Sequence, residues 1–329
     1  MNVLVFSIGI LLLLLVITDF FHTTLSFQGS GPITRLVHRS KWKAVQFLAR
    51  LFGDRMLRYG GLFLALSMLA SWILLFWLGL FLVFHSDPAA VVSNDELERP
   101  ANVIERIYFT GFVLSTLGLG DLKPGTGWAQ AFTALFSFSG FIFFTASMTY
   151  LLSISTAIVQ KRSLAMTIND MGRSPQEIIL GGWNGSDFSL LKSDLSALKQ
   201  ALNAVTQSHR IFPILHYFTT RDRRGSISLN IVRLDEALTI FLHQLQHSDA
   251  NSKKEAEQIR RSLDNFMEMV VHEMTTGDNI GLPVPPTDRL ESQGLQIKEV
   301  PAKDRDRIGE RRLTLGGYLH FEGWTAEDR

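Results

Sequence analysis

The chain has 329 residues, 46% of them apolar, and its 32 Lys and Arg against 31 Asp and Glu give a net charge of +1. This apolar content excludes a disordered chain, and the near-neutral balance gives no support for general nucleic-acid binding. There is no Cys, which excludes disulfides, thiolate metal sites and Cys nucleophiles. Only 18 of the 63 charged residues precede residue 161, so a membrane-like first half leads into a soluble-like second half.

Three segments contain no Asp, Glu, Lys or Arg and are candidate membrane spans: Met1–Thr18, Gly60–Phe84 and Pro124–Gln160. A spanning helix needs roughly 20 apolar residues, so the third segment is long enough to continue out of the bilayer as a helix. The first segment is shorter, and a cleaved signal peptide is its alternative. No basic residue precedes its apolar run and no small-residue cleavage site follows, which favours an N-terminal transmembrane helix over residues 1–21.

The charges between these spans predict the orientation of the chain. Residues 22–58 carry a net charge of +6, whereas residues 86–101 carry −3. By the positive-inside rule, residues 22–58 and 161–329 lie in the cytoplasm and the N-terminus lies outside a cell inner (plasma) membrane. We expect residues 22–58 to form a basic amphipathic helix on the cytoplasmic face, in contact with membrane lipids. A solvated linker that contains a helix is the alternative.

Residues 102–115 have helical character but are too few to span a bilayer, and Thr116-Leu-Gly-Leu-Gly-Asp121 follows them. A helix that enters the membrane and returns as irregular backbone is tolerated where that backbone lines water or protein. Alternating Gly residues allow successive carbonyls to point the same way, and a ring of such oxygens can replace the hydration shell of a monovalent cation. A Gly-rich turn in another membrane protein is one alternative. A phosphate loop is the other alternative, but in this sequence no strand precedes the glycines and no Gly-Lys-Ser/Thr follows them.

The order helix, pore helix, T-x-G-x-G-D and helix resembles the two-transmembrane pore module of potassium channels of bacterial type, here with an extra N-terminal helix. The TLGLGD segment itself resembles the second pore loop of two-pore-domain potassium channels. This resemblance covers roughly residues 60–160. It implies an outer helix at 59–85, an extracellular loop at 86–101, a pore helix at 102–115, a selectivity filter at 116–121 and an inner helix at 127–160.

The resemblance also implies roles for individual residues. Potassium would be coordinated by backbone carbonyls and by one hydroxyl, from Thr116, Leu117, Gly118 and Leu119, with Gly120 at the outer mouth. Ser115, Phe112 and Asp121 would support the filter, and Gly140 matches the glycine that acts as a gating hinge. One pore loop per chain cannot close a ring, so the resemblance implies a homotetramer. Potassium would be the permeant ligand, and no cofactor is expected.

Two residues depart from the usual filter pattern. Leu119 replaces the Tyr whose hydroxyl joins an aromatic cuff, and Phe112 replaces a Glu that in some members pairs with the filter Asp. Asp121 would then need another partner or face water, and both changes favour a looser filter. On the inner helix, a stripe of hydroxyls with three apolar neighbours is predicted to line the inner pore, and packing between helices is the alternative. These residues are Phe144, Thr145, Met148, Thr149, Leu152, Ser153 and Thr156.

Residues 161–329 are predicted to form a mostly helical cytoplasmic domain, with a Pro-rich linker near 281–301. No nucleophile elbow, phosphate loop or metal constellation is visible there, which argues against an enzyme. His243 and His247 have metal-ligand spacing but no third ligand. Taken together, the sequence predicts an all-α membrane protein that acts as a homotetrameric, potassium-selective channel, with no nucleic-acid partner. The alternatives are a weakly selective cation channel and a non-conducting scaffold whose helical domain binds a partner.

Overall fold

A computed structural model describes residues 1–25, 29–52, 55–246, 249–273 and 280–328. It confirms an all-α membrane protein, because three of its helices are long and apolar enough to cross a bilayer. The helices in chain order are α1 Val3–Leu25, α2 Pro32–Phe52, α3 Arg55–His85, α4 Val103–Leu114, α5 Gly127–Met171, α6 Pro175–Gly181, α7 Ser189–Ile211, α8 Ile227–His243, α9 Ala250–Glu273, α10 Asp288–Ser292 and α11 Ala302–Phe321. Two 3₁₀ helices span Pro213–Tyr217 and Ala326–Asp328, and two strands are β1 Val91–Ser93 and β2 Leu122–Pro124.

The chain forms two compact units. The first unit comprises Met1–Ala44 and Leu62–Ile154, and the second comprises Val45–Gly61 and Ser155–Arg329. Helix α5 contributes its first part to one unit and its last part to the other, so the longest apolar helix is shared between them.

Aromatic side chains pack α1, α3 and α5 together in the first unit. The ring of Phe20 stacks on Phe143 at 4.0 Å between centroids and meets the edge of Trp72 at 5.0 Å. All of Phe20, Trp72 and Phe76 are almost fully buried. Large apolar rings give this contact a well-defined geometry, because edge-to-face and offset arrangements are preferred at these distances.

A buried carboxylate joins α1 to the start of α2. Asp19 accepts hydrogen bonds from the Ile33 amide at 2.7 Å, the Thr34 hydroxyl at 2.7 Å and the Trp72 indole at 2.9 Å. A Cβ on Gly31 would overlap this carboxylate, so the close turn requires glycine. A carboxylate within an apolar helix is costly unless it is hydrogen-bonded, and here it provides the cap that begins α2.

The boundaries of α2 differ from the predicted basic helix over residues 22–58. Helix α1 continues to Leu25, beyond the predicted end at residue 21, and α2 begins at Pro32, a residue suited to the first helical position. The side chains of Thr34, His38 and Trp42 on α2 are buried. The apolar side chains of Leu36, Phe47 and Leu51 on the same helix are exposed. The predicted position of α2 on a membrane surface stays a prediction.

Two further boundaries correct the sequence interpretation. Residues 86–101 contain the strand β1, which pairs antiparallel with β2 so that Val91 lies opposite Pro124. Three-residue strands are too short for periodicity to reveal them. The inner helix was predicted to end at Gln160, before the first charged residues, but α5 continues to Met171. Charge does not end a helix; Gly172 does, where the chain turns tightly against Glu177 and Ile178.

The second unit packs around α8, which is buried along nearly its whole length. Its buried Asp235 is paired with Arg260 at 2.9 Å and with Arg311 at 2.5 Å, and Glu236 is paired with Arg312 at 2.7 Å. The predicted Pro-rich linker near 281–301 contains α10, and a bridge joins Leu245 to Ile297. Buried acids with such partners hold α8, α9 and α11 in one arrangement.

Candidate functional site

The candidate site is built on α4, whose N-terminus is closed by a capping box of two reciprocal hydrogen bonds. The Asn102 side chain accepts from the Glu105 amide at 3.0 Å, and the Glu105 carboxylate accepts from the Asn102 amide at 2.8 Å. Arg99 donates two hydrogen bonds to the same carboxylate. The Arg99 guanidinium, and next the Asn102 amide, lower the pKa of Glu105 to about 2. These bonds define where α4 begins.

A buried arginine fastens α4 to the end of α3. The Arg106 guanidinium donates to the carbonyl oxygens of Ala101 at 2.9 Å, Phe84 at 3.2 Å, Asp87 at 2.9 Å and Pro88 at 2.8 Å. The last carbonyls of a helix have no partner within it, so Arg106 provides what the C-terminus of α3 lacks. Sequence reasoning missed this residue, because a single Arg in a short apolar helix carries no motif.

The C-terminus of α4 closes with the two hydrogen bonds of a Schellman motif. The Leu117 amide donates to the Phe112 carbonyl at 2.9 Å, and the Thr116 amide donates to the Val113 carbonyl at 3.2 Å. The residue between helix and loop takes a left-handed conformation in this motif and is usually Gly. Here it is Thr116, with φ of 59°. A β-branched residue in that region is an outlier, and such strain clusters at functional sites.

The loop after α4 reverses its backbone handedness at every second residue. Thr116, Gly118 and Gly120 have φ of 59°, 57° and 83°, whereas Leu117 and Leu119 have negative φ. In an ordinary strand successive carbonyls point to opposite sides, and a regular reversal of handedness brings them toward one side. A Cβ on Gly118 or Gly120 would meet no atom within 4 Å, so glycine is required here for its backbone conformation.

Hydrogen bonds hold the C-terminal end of this loop to the segment 86–101 of the same chain. The Asn94 side chain donates to the Gly120 carbonyl at 2.9 Å, and the Asn94 amide donates to the Asp121 carbonyl at 3.0 Å. The Asp121 carboxylate lies within electrostatic range of the Tyr108 phenol, whose ring centroid is 5.3 Å from that of Phe112. Asp121 therefore has a polar neighbour on α4, one helical turn before Phe112. Sequence reasoning overlooked Tyr108, although it shares a face of α4 with Phe112.

Gly140 lies where α5 crosses the end of α4. A Cβ at this position would overlap the carbonyl oxygen of Leu114 and lie 3.0 Å from its carbonyl carbon. The close approach of the two helices is a reason for glycine that is independent of bending, and the predicted hinge stays a prediction. Beside this contact is an apolar cavity of about 760 Å³, whose lining includes Trp77, Thr116, Phe144 and Met148.

The predicted pore-lining residues of α5 are mostly exposed in the single chain, as Phe144 and Leu152 illustrate. Three hydroxyls of the stripe bond to their own helix: Thr145 to the Phe141 carbonyl, Thr149 to the Thr145 carbonyl and Ser153 to the Thr149 carbonyl. A hydroxyl bonded to its own helix is satisfied both in a water-filled pore and in a helix interface, and the pore-lining role stays a prediction. Thr156, also predicted to line the pore, is exposed.

His243 and His247, whose spacing suits metal ligands but which lack a third ligand in the sequence, are only partly described by the structure. The His243 ring lies 3.4 Å from the Asp304 carboxylate, and His247 lies outside the described residues. Within the described ranges, no group of three or more His, Asp or Glu side chains is placed to hold a metal ion.

Comparison with known proteins shows the family to which the sequence belongs. Residues 70–157, which contain α4, the loop 116–121 and Gly140, match a family model described as an ion channel. The chain is 34% identical over 316 residues to the uncharacterized membrane protein YdjJ of Bacillus subtilis (strain 168), which covers 94% of this chain and 92% of that protein. No solved structure matches the chain. The chain is therefore a multi-pass membrane protein that belongs to the same family as the Bacillus subtilis protein and carries an ion-channel module over residues 70–157.

Proposed function

We propose that this protein is a homotetrameric, potassium-selective channel in which residues 116–121 are the selectivity filter. The observation that carries the proposal is the alternation of backbone handedness at Thr116, Gly118 and Gly120, directly after the capped end of α4. A backbone of this kind presents a stack of carbonyl oxygens on one side, the arrangement that replaces the water around a dehydrated cation.

In this proposal the carbonyls of Thr116, Leu117, Gly118 and Leu119, with the Thr116 hydroxyl, coordinate potassium, and Gly120 forms the outer mouth. The negative end of the α4 dipole favours a cation beside the filter. Four chains complete each ring of oxygens around one axis. In the single chain Leu117 is 62% exposed and Leu119 is 52% exposed, as expected for side chains that neighbouring copies would cover. No covalent chemistry is involved.

The charge distribution supports a specific orientation. Residues 22–58 and 161–329 lie in the cytoplasm and the N-terminus lies outside, in the inner (plasma) membrane. The exposed apolar side chains of α2, with basic neighbours such as Arg35 and Lys41, contact anionic lipid at the inner surface. The residues of α5 from Phe144 to Thr156 line the inner pore below the filter.

Ion flux from proteoliposomes under opposed potassium and sodium gradients tests the proposal. The chain offers a matched pair of variants, because a Cβ on Gly118 and one on Gly127 would both enter open space. Only Gly118 has a positive φ, so Gly118→Ala should abolish potassium flux through backbone strain, and Gly127→Ala should leave it intact. Loss of flux in both variants, or in neither, would contradict the assignment of the filter. Absence of flux from the unmodified protein would favour the scaffold alternative.

A weakly selective cation channel is the second candidate, and Leu119 favours it. This side chain has no hydrogen-bonding group with which to brace the filter from behind. Sodium flux equal to potassium flux would establish this candidate. Recovery of potassium preference in Leu119→Tyr would then assign the weak selectivity to this residue.

A further inference from the structure

The last part of α5 carries a buried lysine into the second unit. Lys161 is the first charged residue after the apolar run, and it lies on the same continuous helix as Gly140 and Phe144. Its ammonium donates to the carbonyl oxygens of Leu215 and Phe218, each at 3.1 Å. Any change at Lys161 therefore acts directly on the helix that the proposed function assigns to the inner pore.

The same ammonium forms a buried ion pair with Glu322, the residue that follows α11. Lys161 Nζ lies 3.2 Å from Glu322 Oε1, and the two side chains are 5% and 3% exposed. The other carboxylate oxygen accepts from the Ser228 amide at 3.3 Å and lies 3.5 Å from the Ser226 hydroxyl. We call this ion pair, with the carbonyls of Leu215 and Phe218, the latch. Breaking one half of a buried pair is expensive, so the latch holds as a unit.

Two buried histidines lie within electrostatic reach of the latch. The rings of His209, on α7, and His216, on the 3₁₀ helix, are 5.0 Å apart between centroids. Among the residues that the structure describes, neither Nε2 atom has a hydrogen-bond partner. His209 Nδ1 lies 2.9 Å from the Val205 carbonyl, which places its proton on Nδ1 and leaves a lone pair on Nε2.

The surroundings of the pair disfavour a positive charge. Lys161 on α5 opposes protonation of both rings, and each ring would oppose protonation of the other. Helix α9 presents the apolar ring of Phe266 to His209 at 5.8 Å. Glu322, the acid of the latch, is already paired with Lys161. A metal ion is equally disfavoured beside an ammonium with only two ligands, and the described part of the chain supplies no third.

We propose that His209 and His216 are an acid sensor, and that their protonation releases the latch and so frees the end of α5. Protonation would bring two further positive charges beside a buried ammonium whose carboxylate partner is Glu322. The latched arrangement can accept them only by opening to water. The effect on the pore rests on the proposed channel function, whereas the opening of the latch does not.

The direction of the pH effect follows from the pKa values of the pair. Burial, and then Lys161, lower the pKa of His216 to about 3, and burial lowers the pKa of His209 well below its usual value. Above the ordinary pKa of about 6.5 the histidines are neutral in both states, and their protonation favours neither. As the pH falls below about 6.5, only the released state takes up protons, so the latched state loses stability relative to it. Between pH 7.5 and pH 5.5 the equilibrium constant between the latched and the released state should shift toward the released state. We expect a shift of about tenfold for each histidine, and so of about a hundredfold for the pair.

Because the chain has no Cys, a single introduced thiol can report on the latch. Ser228 is fully buried against Glu322, and Ser228→Cys changes one atom. The rate of maleimide labelling would be measured on the purified full chain at pH 7.5 and pH 5.5. The same variant with His209→Asn and His216→Gln is the reference at each pH, so changes in thiol ionisation cancel. We expect the labelling ratio between the two proteins to rise at least tenfold at pH 5.5.

A labelling ratio that does not change with pH would overturn the proposal. Addition of His320→Gln, which removes an exposed histidine of α11, should not alter the response, and an altered response would also count against the pair. Potassium flux from proteoliposomes with equal pH on both sides provides the second measurement. Flux that changes with pH only when His209 and His216 are present supports the link to the pore. A pH-dependent label without any flux would overturn that link and the channel function, while the acid-sensitive latch would stand.

Discussion

The carboxylate of Asp121 lies within electrostatic range of the phenol of Tyr108 on α4. The two residues are 13 positions apart and approach each other because the segment after the loop 116–121 returns along the helix that precedes the loop. Tyr108 therefore gives Asp121 a polar neighbour, although Phe112 carries no carboxylate.

Tyr108→Phe should weaken potassium selectivity without disturbing the fold, because it keeps the ring contact with Phe112 and removes only the hydroxyl beside Asp121. We expect the potassium-to-sodium permeability ratio to fall roughly fivefold, equivalent to about 1 kcal/mol for the loss of one polar neighbour of the carboxylate. Reversal potentials under bi-ionic conditions measure this ratio. Asp121→Asn should give a similar loss, and the double variant should lose no more than either single variant. Additive losses would show that the two side chains act separately.

Gly140→Ala should destabilise the protein by about 1–3 kcal/mol, because the new methyl group would overlap the Leu114 carbonyl where α5 crosses α4. Gly127→Ala is the control on the same helix, since its Cβ would meet no atom within 4 Å. Thermal unfolding of the purified full chain compares the two variants. If Gly140 acts only as a hinge, its variant will change open probability and leave the unfolding midpoint unchanged.

Arg106→Met should destabilise the first unit by about 3 kcal/mol or more, because it leaves the carbonyls of the buried Phe84, of Asp87 and of Pro88 without their donor. Arg106→Lys should recover little of this loss, since an ammonium cannot reproduce the planar fork of donors. Arg99→Met removes an exposed ion pair with Glu105 and should cost less than about 1 kcal/mol. Equal losses in the Arg106 and Arg99 variants, measured by thermal unfolding, would contradict this ranking.

Lys161→Met should destabilise the second unit by about 3–5 kcal/mol, because Glu322 would remain buried and charged without its partner. The double variant Lys161→Met/Glu322→Gln removes both charges and should recover at least half of the loss. Denaturant unfolding of the full chain gives the values, with Lys192→Met, an exposed lysine of α7, as the control. No recovery in the double variant would mean that Lys161 acts through its two carbonyl partners alone.

Hydropathy was sufficient to predict the three apolar helices and the short helix before the glycines. A membrane span needs a long apolar run, which is a property of contiguous residues. Helix α4 spans Val103–Leu114 against the predicted 102–115, since Asn102 and Ser115 are its caps. Tyr108, Arg106 and the sheet formed by β1 and β2 were not predicted. Their roles depend on residues elsewhere in the chain, and no local pattern marks them.

The pattern T-x-G-x-G-D, the absence of Cys and the division of charge between the two halves are local or compositional, and reading the residues in order is enough to find them. Which groups meet across the chain is a different matter. Lys161 and Glu322 are 161 residues apart, and only the packing of α5 and the chain end around α8 brings them together. A buried charge is stable only beside a partner, and the choice of partner is made by the fold as a whole.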